Sequence, residues 1–525
     1  MAAFATSRRH FLVGAGAAGG GLLIGNYGRA RSPSHGTPFT LGVASGDPSP
    51  DGFVVWTRLA PDPRAPDGSG GLSDPVQVHW EIAADDTMRR IVQSGTVEAN
   101  RCFVHAVHIE VGGLAPNRPY WYRFTALGEQ SPIGRSRTLP LSDDPTAHLH
   151  FAFASCSHWE FGYFSAYRHM AAENPDLVLF LGDYIYELTA PDEHAGLIVR
   201  RHGAPTAVSL ADYRNRYALY RTDPDLQALH ASAPCLVTWD DHEVANDYAD
   251  QWSMHMDTSP EEFLRQRTAA YRAYYEHMPL RARAMPRGSS LQLYQQVRIG
   301  RLATFTVLDT RQYRSKQPCE VPPSRRGHVA SDSCTERLNP TRSLLGHAQE
   351  QWLFDGFKNC DTTWNVLAQS QLVAQFRQRD AAGAIGHWTE GWDGYPASRQ
   401  RVLEAISDMR VSNPVFIGGD IHSFWATDLK ANFNNPSSQT VATEFVCTSI
   451  TSDGPPYQRF AEMLPENPHV HFFDSRPRGY VSADITPERA EMRFQTISDR
   501  RDPDAKVSTL KRFVVEKNKP EATPD

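Results

Sequence analysis

The spacing of hydrophobic and polar positions changes once along this chain. From about Pro38 to Pro140, apolar and polar residues alternate in short blocks such as "GFVVWTRL", "VQVHWEIA", "FVHAVHIEV" and "PYWYRFTAL", separated by Pro, Gly and Asp turns. Such blocks predict a small antiparallel sandwich, an all-β domain of immunoglobulin or fibronectin-III type over 38–140. "LPLSDDPTAH" then reads as a linker. From 148 to 505 the texture is strand alternating with helix: "LHFAFASCS", the amphipathic "YFSAYRHMAAEN", "DLVLFLGDYIYE", then "CLVTWDDHE", "LATFTVLDTR", "WNVLAQSQL" and "PVFIGGDIHS". Apolar runs of this kind predict an α/β sheet covered on both faces. Residues 506–525 read as a polar C-terminal tail, and no internal repeat is present.

Ahead of the first block, "SRRHFLVGAGAAGGGLLIG" places Arg8 and Arg9 before Phe11, Leu12 and a short Gly/Ala-rich stretch. This resembles a twin-arginine export signal over 1–31. The stretch is too short and Gly-diluted for a spanning helix. Export to the periplasm or beyond, by machinery that carries folded proteins, is the expectation. No other segment is apolar for long enough to cross a bilayer.

With 525 residues, 40% hydrophobic and 22% charged, the chain can bury sizeable cores. The formal charge of -7 gives no basic footprint for nucleic acid. Seven cysteines leave at least one unpaired. Cys319 and Cys334 bracket a polar, Pro-rich insert, and a bridge there would contribute roughly 3 kcal/mol in the chain-entropy model.

Candidate chemistry collects where the apolar strands end. One ends at Cys156, the next at Asp183, a third at Asp240, Asp241 and His242, and a fourth at Asp420 and His422. Ligands of α/β sheets gather beyond the carboxyl ends of strands. An acidic turn such as "TWDDHEVAND" is ordinarily a solvated loop, and a lone Asp after a strand is ordinarily a cap. Four such ends carrying candidate ligands make cations the better account of acids placed directly behind a buried strand.

These stretches, "SCSHWEFGYFSAY", "GDYIYE", "WDDHEVAND", "LDTRQYR" and "GGDIHS", resemble the motifs of PhoD-like alkaline phosphatases, relatives of the purple acid phosphatases among the calcineurin-like metallophosphoesterases. The resemblance runs from about Pro38 to Thr496 and implies a metallophosphoesterase β-sandwich flanked by helices. It also implies roles. Cys156 and Tyr186 would bind a ferric ion as thiolate and phenolate, with His422 completing that site. Asp183 would bridge the metals, and Asp241 and Asp420 would bind the second. Asn246 and Asp240 are secondary candidates for calcium. His242 would point at the phosphate, and with Arg311 would stabilise its equatorial oxygens.

The donor chemistry agrees. A phenol and a thiol are both anionic at neutral pH only on a strongly polarising ion. The all-oxygen second site suits Ca²⁺ better than Zn²⁺. Cys156, Asp183, Tyr186, Asp241 and Asp420 supply five negative charges, which one Fe³⁺ and one Ca²⁺ only cancel. A second Ca²⁺ leaves a surplus of two for a phosphate dianion. The expected reaction is direct attack of metal-bound water on phosphorus.

Alternatives stay open. Arg311 has a competing reading as the salt-bridge partner of Asp309, Asp393 reads as a loop cap or lid contact, and Tyr184, His158 and Glu187 read as supporting residues. A Ser or Cys covalent hydrolase lacks a Gly-x-Ser-x-Gly elbow and an obvious base for Cys156. An exported calcium-dependent binding protein needs carboxylates but not Cys156, Tyr186 or His242. Monoesterase, phosphodiesterase and phospholipase D-type activity, on phospholipids or teichoic-acid-like polymers, are not separated by the ligands. Oligomeric state is not legible.

Overall fold

The computed structural model describes residues 37–190, 192–435 and 437–525. Arg8, Arg9 and the rest of the segment expected to be an export signal lie outside them. Two sheets face each other. The first has ten strands, and its middle is a parallel trio: Leu149–Ala154, Leu177–Leu181 and Pro234–Thr238. The second has seven, including the parallel neighbours Ala303–Val307, Trp364–Ala368 and Pro414–Gly418.

The apolar runs of the trio are continuous because both faces are covered. Phe151, Phe153, Leu179, Leu181 and Leu236 point into the layer between the sheets, against Phe305, Val307, Val366 and Ile417. Their neighbours Ala152, Ala154, Val178, Phe180 and Val237 pack with Tyr217, Trp239, Tyr271 and Tyr274 beneath the helices. Full burial of each large apolar side chain contributes about 1.5–3 kcal/mol. The helices begin where the sequence caps them. Leu210–Arg221 opens on a reciprocal Ser209–Asp212 capping box, and Pro260–His277 on a Ser259–Glu262 box with proline in its first turn.

Strand pairing runs across two of the boundaries expected from sequence. Residues 38–140 form strands and turns around one short 3₁₀ turn, but they are not a separate sandwich. Val43–Ser49 pairs in parallel with Pro234–Thr238, with Ser45 opposite Pro234, and Gly52–Arg58 and Ala106–Val111 continue the same sheet outwards. The remaining strands, among them Val76–Ala83 and Pro119–Ala126, make a five-stranded sheet that covers this edge through Phe53, Val55, Val78, Tyr122 and Phe124. Alternation reveals which face of a strand is buried, not which neighbour it pairs with. The supposed tail is likewise structural. Val507–Glu516 pairs with Arg489–Ile497 and sends Phe513 and Val515 into the inter-sheet layer. Its exposed first half made it look like a polar terminus.

Cys319 and Cys334 are bridged, with Cα atoms 5.9 Å apart. No helix among the described residues is long and apolar enough to cross a membrane.

Candidate metal centre

The strand ends named from sequence meet at one place, where the carboxyl ends of the trio face that of Pro414–Gly418. The backbone is bent sharply to aim the side chains there. Cys156, Asp183, Asp420 and His422 all have left-handed φ values, 61°, 52°, 61° and 53°. For non-glycine residues that costs about 1–3 kcal/mol each, strain of a kind that concentrates at functional sites. Glycines let the strand ends approach. A Cβ on Gly182 would stand 2.6 Å from Asp240 Cβ, and one on Gly419 2.3 Å from Ser155 Oγ.

Two overlapping donor groups result. Cys156, Asp183 and His422 have one ligand atom each within 4.8 Å of one another, and so do Asp183, Asp241 and His242. Asp183 belongs to both. Tyr186 joins the first group: its hydroxyl donates to Asp183 Oδ2 at 3.0 Å and lies 3.1 Å from His422 Nε2. Ser452 donates to the Tyr186 oxygen at 2.6 Å. His422 Nδ1 is tied to the Asp453 carbonyl at 2.6 Å, which leaves Nε2 facing the donors.

Electrostatics mark this as a place built for cations. Burial and the Asp183 carboxylate push the Cys156 thiol and the Tyr186 phenol well up. Burial also raises Asp183, whose carboxylate neighbours Asp241, Asp240 and Glu243 add to the shift, and it raises Asp420, beside Asp240 and Glu390. Burial and Arg478 push His422 down to about 3, so it is a neutral imidazole. Asp183 Oδ1 and Asp240 Oδ2 are buried with no hydrogen-bond partner, the costly condition that a bound cation removes. Thiol, phenol, imidazole and carboxylate on one side, and carboxylates on the other, fit the expected iron and calcium.

His242 is held from behind, its Nδ1 2.8 Å from Glu187 Oε2. Burial alone would lower its pKa, but Asp241, Glu187 and Asp183 hold it well above the ordinary imidazole value. Its position beside Asp183 and Asp241 puts it against the donors as well as near any phosphate they hold. Asn246 stands behind this group. Its backbone donates to Glu187 Oε1 at 2.8 Å and its amide to Met254 Sδ at 3.3 Å, so a ligand role for it rests on the resemblance alone.

Arg311 corrects one of its two sequence readings, the salt bridge to Asp309. Its guanidinium is fully buried and bonded to Asp240 and Glu390, with Asp241 at 3.4 Å, and its Nη2 has no hydrogen-bond partner. Asp309 accepts its backbone N–H, at 3.0 Å, not its side chain. Arg311 therefore sets a buried positive charge against Asp240, opposing the upward push that burial gives its carboxyl. Asp393 is structural: one oxygen takes Arg399 at 2.6 Å and the other the Phe376 amide at 2.9 Å.

Sequence reasoning passed over three supports. Glu243 accepts the amides of Asp183 and Asp240, at 3.1 and 2.9 Å, and so locks two ligand loops together. Asp247, with φ 56°, donates its amide to Asp241 Oδ2 at 2.6 Å. Glu390 bonds Arg311 and Arg314. Glu243 and Asp247 sit inside the acid-rich stretch already singled out, so the signal was present; Glu390 carried none.

A two-sheet sandwich with such donors on its facing strand ends defines a metal-dependent hydrolase of the metallophosphoesterase type. Comparison with known proteins sharpens this. Residues 151–494 match the PhoD-like phosphatase model, and 26–140 match the PhoD-like phosphatase N-terminal domain. Alkaline phosphatase D of Bacillus subtilis (strain 168) is 44% identical over 527 residues, 97% of this chain and 88% of that one. A solved structure of PhoD superposes with a TM-score of 0.87 at 44% identity, covering 94% of this chain and 93% of that one. The chain belongs to the PhoD-like phosphatase family and is a phosphoric ester hydrolase.

Proposed function

We propose that this protein is an exported phosphatase active on phosphomonoesters, phosphodiesters or both, working with one ferric and two calcium ions. The observation that carries the reading is Asp183, shared between the thiol–phenol–imidazole group and the carboxylate group. Bound there, the ions would supply Lewis acidity, an activated water and charge balance for phosphate.

The chain's own residues do the rest. Cys156, Tyr186 and His422 would hold one ion, Asp183 would be shared with the next, and Asp241 with Asp420 would provide hard oxygens. His242, oriented by Glu187, would bind a phosphoryl oxygen. Arg311 acts from below, as the counter-charge of Asp240. The thiol, phenol and imidazole speak against a purely calcium-binding protein. Phospholipase D-type diesterase activity is the second reading within the same site.

Export rests on the Arg8–Arg9 signal, with periplasm or medium as the destination. Elemental analysis of purified protein beside a panel of phosphomono- and diesters tests the reading. Iron and calcium near one to two with turnover supports it; an active protein carrying stoichiometric zinc and no iron overturns the metal assignment.

A further inference from the structure

Arg221 ends the helix Leu210–Arg221 and is fully buried, yet among the described residues no carboxylate forms an ion pair with it. Of its guanidinium nitrogens, Nη2 donates to the His277 carbonyl, while Nε and Nη1 have no partner. The Trp56 ring covers one face, its centroid 4.3 Å from the guanidinium carbon. A cation–π contact of that kind offsets only part of what burying an unpaired charge costs.

The groups around it that could be anionic are the Tyr184, Tyr122 and Tyr217 phenols and the Cys235 thiol. Burial pushes the thiol up to about 12 and raises all three phenols above their ordinary value. Each therefore stays protonated at neutral pH, and none cancels the guanidinium's charge.

The same place holds further polar atoms without partners. The hydroxyls of Ser45, Tyr122, Tyr217 and Tyr274 are buried, and none makes a hydrogen bond among the described residues. Ser45 adjoins Tyr122 without the geometry of a hydrogen bond, and the Tyr217 ring lies 6.2 Å from those of both Tyr184 and Tyr274. Buried hydroxyls ordinarily find partners, so several orphans around one orphaned guanidinium call for a common cause. All of these groups can donate, and the guanidinium has no lone pair to offer in return. A water among them would have two protons of its own to place. A small anion accepts from every side and cancels the charge.

Separate parts of the chain build the place. Ser45 comes from Val43–Ser49, Tyr122 from Pro119–Ala126 and Cys235 from Pro234–Thr238, with Gly46 opposite Cys235 where the first and last of these pair. Room is scarce: a Cβ on Gly134 would stand 2.5 Å from the Tyr122 oxygen. That suits an ion of one atom rather than a phosphate.

We propose that a single halide, chloride in the first instance, is held by Arg221, Ser45 and Tyr122 as a structural ion. It ties the N-terminal strands to Pro234–Thr238, the strand that runs directly into Asp240 and Asp241. No reacting group touches it, so its effect falls on stability, and it does not depend on the phosphatase reading.

The test compares the metal-loaded protein in chloride, bromide and gluconate at constant ionic strength, with calcium supplied as gluconate. Raising chloride from about 1 to about 100 mM should lift the unfolding midpoint by about 2 °C, a saturable rise that gluconate does not give. Crystals grown in bromide should show an anomalous peak between Arg221 and Tyr122. Arg221→Met should abolish the halide-dependent rise. Should that variant fail to fold, the milder double variant Ser45→Ala/Tyr122→Phe decides, since it should at least halve the rise. Equal midpoints in chloride and gluconate with no peak at Arg221 mean that water fills the place, and overturn the proposal. Bromide found only elsewhere, an adventitious ion only, or a rise undiminished in the double variant, overturns it as well.

Discussion

Ser452 Oγ lies 2.6 Å from the phenol oxygen of Tyr186, which itself reaches Asp183 and His422. A hydrogen bond to a metal-bound phenolate lowers the charge it donates to the ion. The loaded wild type should therefore be coloured. Tyr186→Phe, a near-isosteric change of cost below about 1.5 kcal/mol, should shift or bleach the visible band and lower turnover. Ser452→Ala should shift the band while iron stays bound. Cys156→Ala should lose iron, and Cys156→Asp should regain part of it. Visible spectra and iron content of the four variants check this; an unchanged band in Tyr186→Phe removes the phenol from the iron shell.

Chelation should separate the two kinds of site. EGTA should abolish ester hydrolysis by stripping calcium from the carboxylate side, and added Ca²⁺ should restore it. Full activity after exhaustive dialysis against chelator would point to a metal-free hydrolase.

Arg311 is expected to matter for stability first. Arg311→Met leaves Asp240 without its buried counter-charge and Glu390 with Arg314 alone, a loss of about 3–5 kcal/mol. Urea unfolding should show that loss in metal-free protein as well. A variant of wild-type stability with only a raised KM would return Arg311 to the substrate.

Asp393 gives a pH dependence of known sign. Burial alone would raise its pKa, but Arg399, then His387 and the Phe376 amide, overcome that and hold the carboxyl well below the usual range. A depressed folded pKa means that its contribution is complete above the unfolded value of about 3.9 and fades as the pH falls from there towards the folded value. Asp393→Asn should cost about 3 kcal/mol at neutral pH. The gap to wild type should stay level from pH 8 to 5 and narrow only below about pH 4. A gap already closing between pH 7 and 5 contradicts this assignment.

Replacing Arg8 and Arg9 by Lys should leave the precursor in the cytoplasm, because the paired guanidiniums are what the export receptor reads. Fractionation of cells expressing the double variant measures it, and unchanged export refutes the signal.

The ligand-bearing strands were legible because each is a short apolar run that stops at a donor, and Cys156, Asp183, Asp241 and His422 converge as those stops suggest. What the sequence hid was partnership. Nothing in "FTVLD" tells whether Arg311 will turn to Asp309, to phosphate or to Asp240, since that depends on how two sheets are set against each other. Nothing in the alternation of residues 43–58 names Pro234–Thr238 as the neighbour. His242 was read as a phosphate contact, and its place among the donors follows from Glu187, whose reach across the loop only the fold reveals.

The parallel trio that carries the ligands is bounded by Val43–Ser49 on one side and by Arg478–Ile485 on the other. The strands beneath the centre are thus never sheet edges, and the segments that shield them come from opposite ends of the chain. A ribosome making this protein from its N-terminus releases Cys156, Asp183 and Asp241 long before the strand that flanks Cys156. Pairings so distant in sequence form late and slowly. Stable capture of metal accordingly reports that synthesis and folding are complete, and a truncation at either end would cost the centre its ions before it removed a single ligand.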